Sequence, residues 1–164
     1  MKNRGKIFED NFKKSIPKGL LYERFKDTGS SYYGGNDYLR FSQSNVCDCF
    51  LFDGSILYYL ELKSHKGKSI PLSCIRENQI KELDKRQNSC SNVLAGFLIE
   101  FQDLERVFYL NIEEFKDFVL NNERKSIPFD YIRDVGIEIE VKKLRTNYRY
   151  NVSKMIDDIV NYNF

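Results

Sequence analysis

Residues 46–63, VCDCFLFDGSILYYLELK, restrict the fold of this chain more than any other segment. Two apolar runs meet at Asp53-Gly54, and Asp-Gly between β-prone segments is a strong hairpin signal. The expectation is a strand over about 46–52, a two-residue turn, and a second strand over about 55–63. With that turn Phe52 faces Ser55, and Asp48 faces Tyr59. Cross-strand partners share a face of the sheet, and so do residues two apart on a strand. Asp48, Tyr59, Glu61 and Lys63 then lie on one face, with Asp48 and Glu61 as diagonal neighbours roughly 7–8 Å apart.

Two carboxylates so placed can close on one hard cation. Oxygen ligands suit Mg²⁺, with Mn²⁺ as a substitute, and Mg²⁺ binds through one or two carboxylates plus substrate phosphate. Such an ion can acidify a water and hold a phosphate oxygen. A lysine beside it can orient that water or offset charge in the transition state. The group is a set of parts for phosphodiester hydrolysis. ExK by itself is common and reads as a solvated ion pair. The hairpin, the apolar runs on both sides and the position of Asp48 between Cys47 and Cys49 favour chemistry, because a carboxylate in such a setting is costly without a partner.

Elsewhere the pattern alternates helices and strands. Asn3 caps a helix over about 4–14, with Phe8 and Phe12 on one face and Glu9 on its surface. A strand follows at 20–25, a helix at 73–88 (Ile75, Ile80 and Leu83 buried), and a central strand at VLAGFLIEF, 93–101. A strand at 106–110, a helix at 112–121, a short strand at 137–141 and a helix at 153–161 complete it. The implied class is α/β, a mixed sheet covered by helices on both faces, in a single domain over residues 1–164. Residues 26–45 are rich in Gly, Ser, Asn and Tyr and form a long excursion without core periodicity.

Charge and cysteines narrow the partners. Residues 1–26 carry eight Lys or Arg against three acids, and residues 142–154 carry five with no acid. Local basic segments on a near-neutral chain suit a phosphate-binding face. Arg4, Lys6, Lys26, Arg40, Lys66 and Lys68 are the candidate phosphate contacts, and Tyr32, Tyr33 and Phe41 can stack on unpaired bases. The four cysteines form no CxxC pair and there is one histidine, which leaves zinc too few spaced ligands. No apolar run of about eighteen residues suggests a membrane span. With no apolar leader and unpaired cysteines, a cytoplasmic location is expected.

Four segments resemble the RecU Holliday-junction resolvases, nucleases of the PD-(D/E)xK type. NRGKIFE (3–9) is similar to the family's opening NRG-xx-(L/F)-E. Asp48 followed by Glu61-Leu62-Lys63 is similar to its D…ExK. SIPL (69–72) with Gln79-Ile80, and RKSI (124–127), resemble two further segments in the family's order. The resemblance implies a restriction-endonuclease-like fold with a projecting stalk-like loop at 26–45, in a homodimer. It implies Mg²⁺-dependent paired nicks in four-way DNA junctions, in recombination and repair. Glu9, Asp48, Glu61 and Lys63 would form its active site, with Gln79 close by and Glu9 an outer or water-bridged metal ligand. The excursion looks shorter than a RecU stalk and matches only at Phe41-Ser42-Gln43-Ser44. A long basic N-terminal extension is also absent, which suggests a compact phage or prophage form. Contact with other recombination proteins is not inferable.

Two rivals stay open. One is another endonuclease on the same core, of restriction, flap or single-strand type. The other is a DNA-binding recombination accessory with a vestigial site, against which the acids argue, since binding needs none of them. If the excursion senses the junction, replacing residues 28–38 by a short Gly/Ser linker should spare folding and metal binding. It should lower the ratio of junction to duplex affinity at fixed salt, and an unchanged ratio makes the segment a connector.

Overall fold

The structure, a computed structural model, describes residues 3–25 and 45–163. In chain order its elements are α1 (Arg4–Lys13), β1 (Leu21–Arg24), β2 (Cys49–Phe52), β3 (Leu57–His65), β4 (Ser69–Pro71), a 3₁₀ turn (Leu72–Cys74) and α2 (Glu77–Gln87). There follow β5 (Val93–Phe101), β6 (Arg106–Asn111), α3 (Ile112–Asn121), β7 (Ser126–Pro128) and α4 (Phe129–Val135). Last come β8 (Ile137–Ile139), β9 (Val141–Lys143), β10 (Tyr148–Tyr150) and α5 (Val152–Asn163).

The main sheet has the order β1-β2-β3-β5-β6-β8. β3 and β5 run parallel over nine positions, from Leu57↔Val93 to His65↔Phe101. The other neighbours in this sheet are antiparallel. A parallel pair needs a long crossover, and α2 supplies it. β5 is buried at every position except Glu100, as its continuous apolar run requires. On one face α1 and α5 bring Phe8, Phe12, Met155 and Ile159 against Leu51, Leu60, Leu98 and Tyr109. On the other, Leu83 of α2, Phe115 of α3 and Ile132 of α4 pack with Phe97, Ile99, Phe108 and Leu110. The expected mixed sheet with helices on both faces is thus observed.

The hairpin differs from the expected register. Phe52 pairs with Leu57 and Cys49 with Leu60, so every partner lies two residues further on than a turn at Asp53-Gly54 would place it. Gly54 and Ser55 form the tip instead. Asp53 N donates to Ile56 O at 3.3 Å, and Asp53 Oδ1 accepts from Ser55 N and Ile56 N at 2.8 Å each. Gly54 has φ +99°, a conformation that glycine adopts without strain. A side chain that binds the turn's own amides moved the tip by one residue.

Other differences are local. The helix expected at 73–88 begins at Glu77, because Ile75 and Arg76 are extended. Leu83 is buried, whereas Ile80 is only partly so. The strand expected at 137–141 is two strands, β8 and β9, and β9 pairs with β10. A separate ladder joins β4 to β7, with Ile70 opposite Ile127 and both buried. Three-residue strands are too short to show an alternating pattern. The excursion expected at 26–45 lies outside the described residues up to residue 44.

Gly96 permits the close approach of β6 to β5. A Cβ there would stand 2.4 Å from Leu110 O and 2.8 Å from Tyr109 Cε2. Gly96→Ala should therefore destabilise the protein by about 1–3 kcal/mol through overpacking. Urea unfolding measures this, and an unchanged midpoint would mean the two strands separate freely.

Candidate active site

Glu61 and Lys63 alternate with Leu60 and Leu62 on β3. Their side chains face α2, while Leu60 faces α1. Glu61 is only 3% exposed. An isolated carboxylate so deep is costly, and its Oε1 takes two donors. Lys63 Nζ stands 2.9 Å away, and Gln79 Nε2 donates to the same oxygen.

Gln79 is placed by the start of α2. It is the third helical residue, and its Oε1 accepts from Arg76 N at 3.0 Å, closing the helix end. The same Oε1 accepts from Lys63 Nζ at 3.2 Å. One amide thus ties the helix end, the lysine and the carboxylate together. The late start of α2 is what sets Gln79 at this position.

Asp48 precedes β2. The ladder with β3 ends at Cys49↔Leu60, and Asp48 stands in the bend just before it, close enough for its charge to act on Glu61. Asp48 Oδ2 accepts from Leu62 N at 2.7 Å, and its carbonyl accepts from Phe25 N at 3.0 Å. Burial and then the charge of Asp48 push the Glu61 carboxyl up to about 7, against the opposing pull of Lys63 and Arg76. The neighbouring Cys47 thiol is pushed up to about 12 by burial and by the Glu61 charge.

Two neighbouring carboxylates, with the proton affinity of Glu61 raised, fit a divalent cation, whose charge would offset their repulsion. Among the described residues no group of three or more His, Cys, Asp or Glu side chains gathers for a metal. A cation here would rely on Asp48 and Glu61, with water and phosphate completing its shell. Glu9 sits on α1, against the other face of the sheet, and pairs with Arg24 at 2.7 Å. Its charge and those of Asp48 and Glu61 all act on the buried Cys49 thiol, so it belongs to the same end of the sheet without joining the pair.

The other expected site residues are spread wider. Arg4 lines a polar cleft on the α1 face with Glu100, Gln102 and Tyr148. Lys6 is exposed on α1, and Lys66 and Lys68 are exposed in the turn between β3 and β4. Lys26, Tyr32, Tyr33, Arg40 and Phe41 lie outside the described residues. Sequence reading passed over Arg76. Arginine is not a residue type that marks a helix start, so no local signal singled it out.

The family model for recombination protein U, RecU, matches residues 38–154. A relative, the SPbeta prophage-derived uncharacterized protein YotM of Bacillus subtilis, is 30% identical over 174 residues, covering 96% of this chain and 87% of the relative. In fold the chain is similar to Archaeoglobus fulgidus Hjc, a Holliday junction resolvase from an archaeal hyperthermophile, with a TM-score of 0.53 and 13% identity. That likeness covers 81% of this chain and 93% of that one.

The raised Glu61 carboxyl predicts the pH dependence of metal binding. A cation needs the carboxylate, so affinity should fall as pH drops through about 7. Below that pH, binding should release about one proton per cation, and well above it close to none. Calorimetry of Mn²⁺ binding in buffers of different ionisation heat measures the release. Equal heats in all buffers at low pH would mean that Glu61 is not a ligand.

Proposed function

The chain belongs to the RecU family of Holliday-junction endonucleases, and from that membership we propose a Mg²⁺-dependent, structure-selective endonuclease that resolves four-way DNA junctions by paired nicks in recombination and repair. The observation that carries the mechanism is that Asp48, bound to Leu62 N, lies near enough for its charge to act on buried Glu61, with Lys63 held alongside. Mg²⁺, bound by these two carboxylates, would supply acidification of a water and charge neutralisation at the scissile phosphate. Mn²⁺ fits the same oxygen donors.

The chain's own residues do the positioning. Lys63 Nζ rests on Glu61 Oε1 and Gln79 Oε1, at 2.9 and 3.2 Å, so its remaining N–H can aim at the attacking water or a phosphate oxygen. Gln79 holds Glu61 and Lys63 at a fixed separation and prevents the lysine from swinging into solvent. Leu62 N keeps the Asp48 carboxylate turned toward Glu61. Glu9, with Arg24, acts at the margin of the site as an outer, water-bridged group.

Paired nicks on opposing strands need two equivalent centres, which a two-fold homodimer supplies with one self-complementary interface. No helix among the described residues is long and apolar enough to cross a membrane. As an enzyme of DNA recombination it would act in the cytoplasm.

Incubation with a synthetic mobile four-way junction tests the reading. Symmetric nicks should appear with Mg²⁺ and not without it, ahead of cleavage of flap or plain duplex. Asp48→Asn should abolish cleavage and keep junction binding. Lys63→Ala should fold normally and lose rate by on the order of 10²–10³, as for one transition-state charge contact. Full turnover by Asp48→Asn, or wild-type cleavage of duplex in preference to junction, would overturn the assignment.

A further inference from the structure

Several cations on the α2 side of the sheet already hold a carboxylate. Lys81 pairs with Glu77 at 2.6 Å, Lys116 with Asp84 at 2.6 Å and Arg106 with Glu138 at 2.6 Å. Arg76, Arg124 and Lys125 are exposed as well. Among the described residues none of these three makes an ion pair.

The fold collects the three on one rim. In the β4–β7 ladder Ser126 pairs with Pro71, and Leu72 N donates to Lys125 O at 2.9 Å. From Leu72 the chain makes one 3₁₀ turn and reaches Arg76, whose N–H is bound to Gln79 Oε1 at 3.0 Å. Arg124 and Lys125 therefore lie within about 20 Å of Arg76 along the backbone. That is the reach of a few successive phosphates on a DNA strand. Arg76 in turn adjoins the Glu61–Lys63–Gln79 cluster.

Charge gives this rim a purpose. Asp48 and Glu61 repel a phosphate backbone, and Lys63 is engaged with Glu61. Glu77, the acid next to Arg76, is occupied by Lys81. Arg76, Arg124 and Lys125 stand on the edge that the β4–β7 contact builds beside the Glu61 cluster. Lys68 extends the rim at the far end of β4, where its carbonyl accepts from Phe129 N at 2.9 Å.

We propose that Arg76, Arg124 and Lys125 form a phosphate-binding rim that grips the DNA strand beside Glu61 and Lys63, on the face of the sheet covered by α2. The rim rests on the endonuclease reading above. It makes the small β4–β7 ladder a functional brace, since it carries Arg124 and Lys125 across some fifty residues of sequence to the edge of the site.

Fluorescence anisotropy with a labelled four-way junction, without Mg²⁺ and from 50 to 200 mM salt, tests it. Each neutralised phosphate contributes about 0.9 to the slope of log affinity against log salt. Arg124→Ala/Lys125→Ala should lower that slope by about 1–2 and weaken binding on the order of 10-fold to 100-fold. Adding Arg76→Ala should lower the slope again. The charge-keeping variant Arg124→Lys/Lys125→Arg should bind nearly as the wild type does, which separates lost charge from lost folding. Lys85→Ala, in the last turn of α2, should leave the slope unchanged. A triple alanine variant with wild-type affinity and slope overturns the rim, while wild-type cleavage in the same preparation leaves the endonuclease reading standing. A wild-type protein that neither binds nor cuts junctions overturns both.

Discussion

Burial of the Glu61 carboxylate is the constraint around which the functional side of the protein is arranged. It occupies a central strand and is only 3% exposed. Such a group is tolerable only with donors in place. Lys63 comes from the same strand, two residues on, and costs the fold nothing to deliver. Gln79 comes from α2, which lies there because β3 and β5 are parallel and their crossover must return over the sheet. The parallel pairing is therefore what makes a buried acid on β3 tolerable.

The two faces of the sheet divide the work. Toward α1 and α5, β3 presents Tyr58 and Leu60 to a continuous apolar layer. Toward α2, the same strand presents Tyr59, Glu61 and Lys63. An acid and a lysine separated by one apolar residue can exist on a core strand because alternate residues face opposite environments. Asp48 enters from the bend before β2, where its Oδ2 accepts from Leu62 N. The prophage-derived relative agrees with a phage or prophage form.

The hairpin shows how a wrong detail left a right conclusion. The turn lies at Gly54-Ser55 rather than Asp53-Gly54, because the Asp53 carboxylate binds the amides of Ser55 and Ile56. Shifting a turn by one residue shifts the register by two, and a shift of two preserves which side chains share a face. Glu61 and Lys63 thus share a face in either register, although their cross-strand partners differ. The role of Gln79 as a tie was less legible, since it depends on where α2 starts. Ile75 and Arg76 have side chains that suit a helix, yet packing of the 3₁₀ turn holds them extended. Strands β4 and β7 were not legible, because three residues carry no periodicity and their partners lie far apart in sequence.

By itself, the sequence determined the local features. The apolar run of β5 demanded a buried strand, the Asn3 cap marked the start of α1, and the alternation along β3 put its acid and lysine on one face. Short-range sterics and side-chain spacing decide such things, and they need no partner from elsewhere in the chain. Tertiary structure alone decided that Asp48 meets Leu62 N, that Gln79 reaches both Glu61 and Lys63, and that Lys125 meets Leu72. Those are contacts between distant segments, set by strand register and by the path of the crossover, and the free energy that selects them comes from packing the whole core.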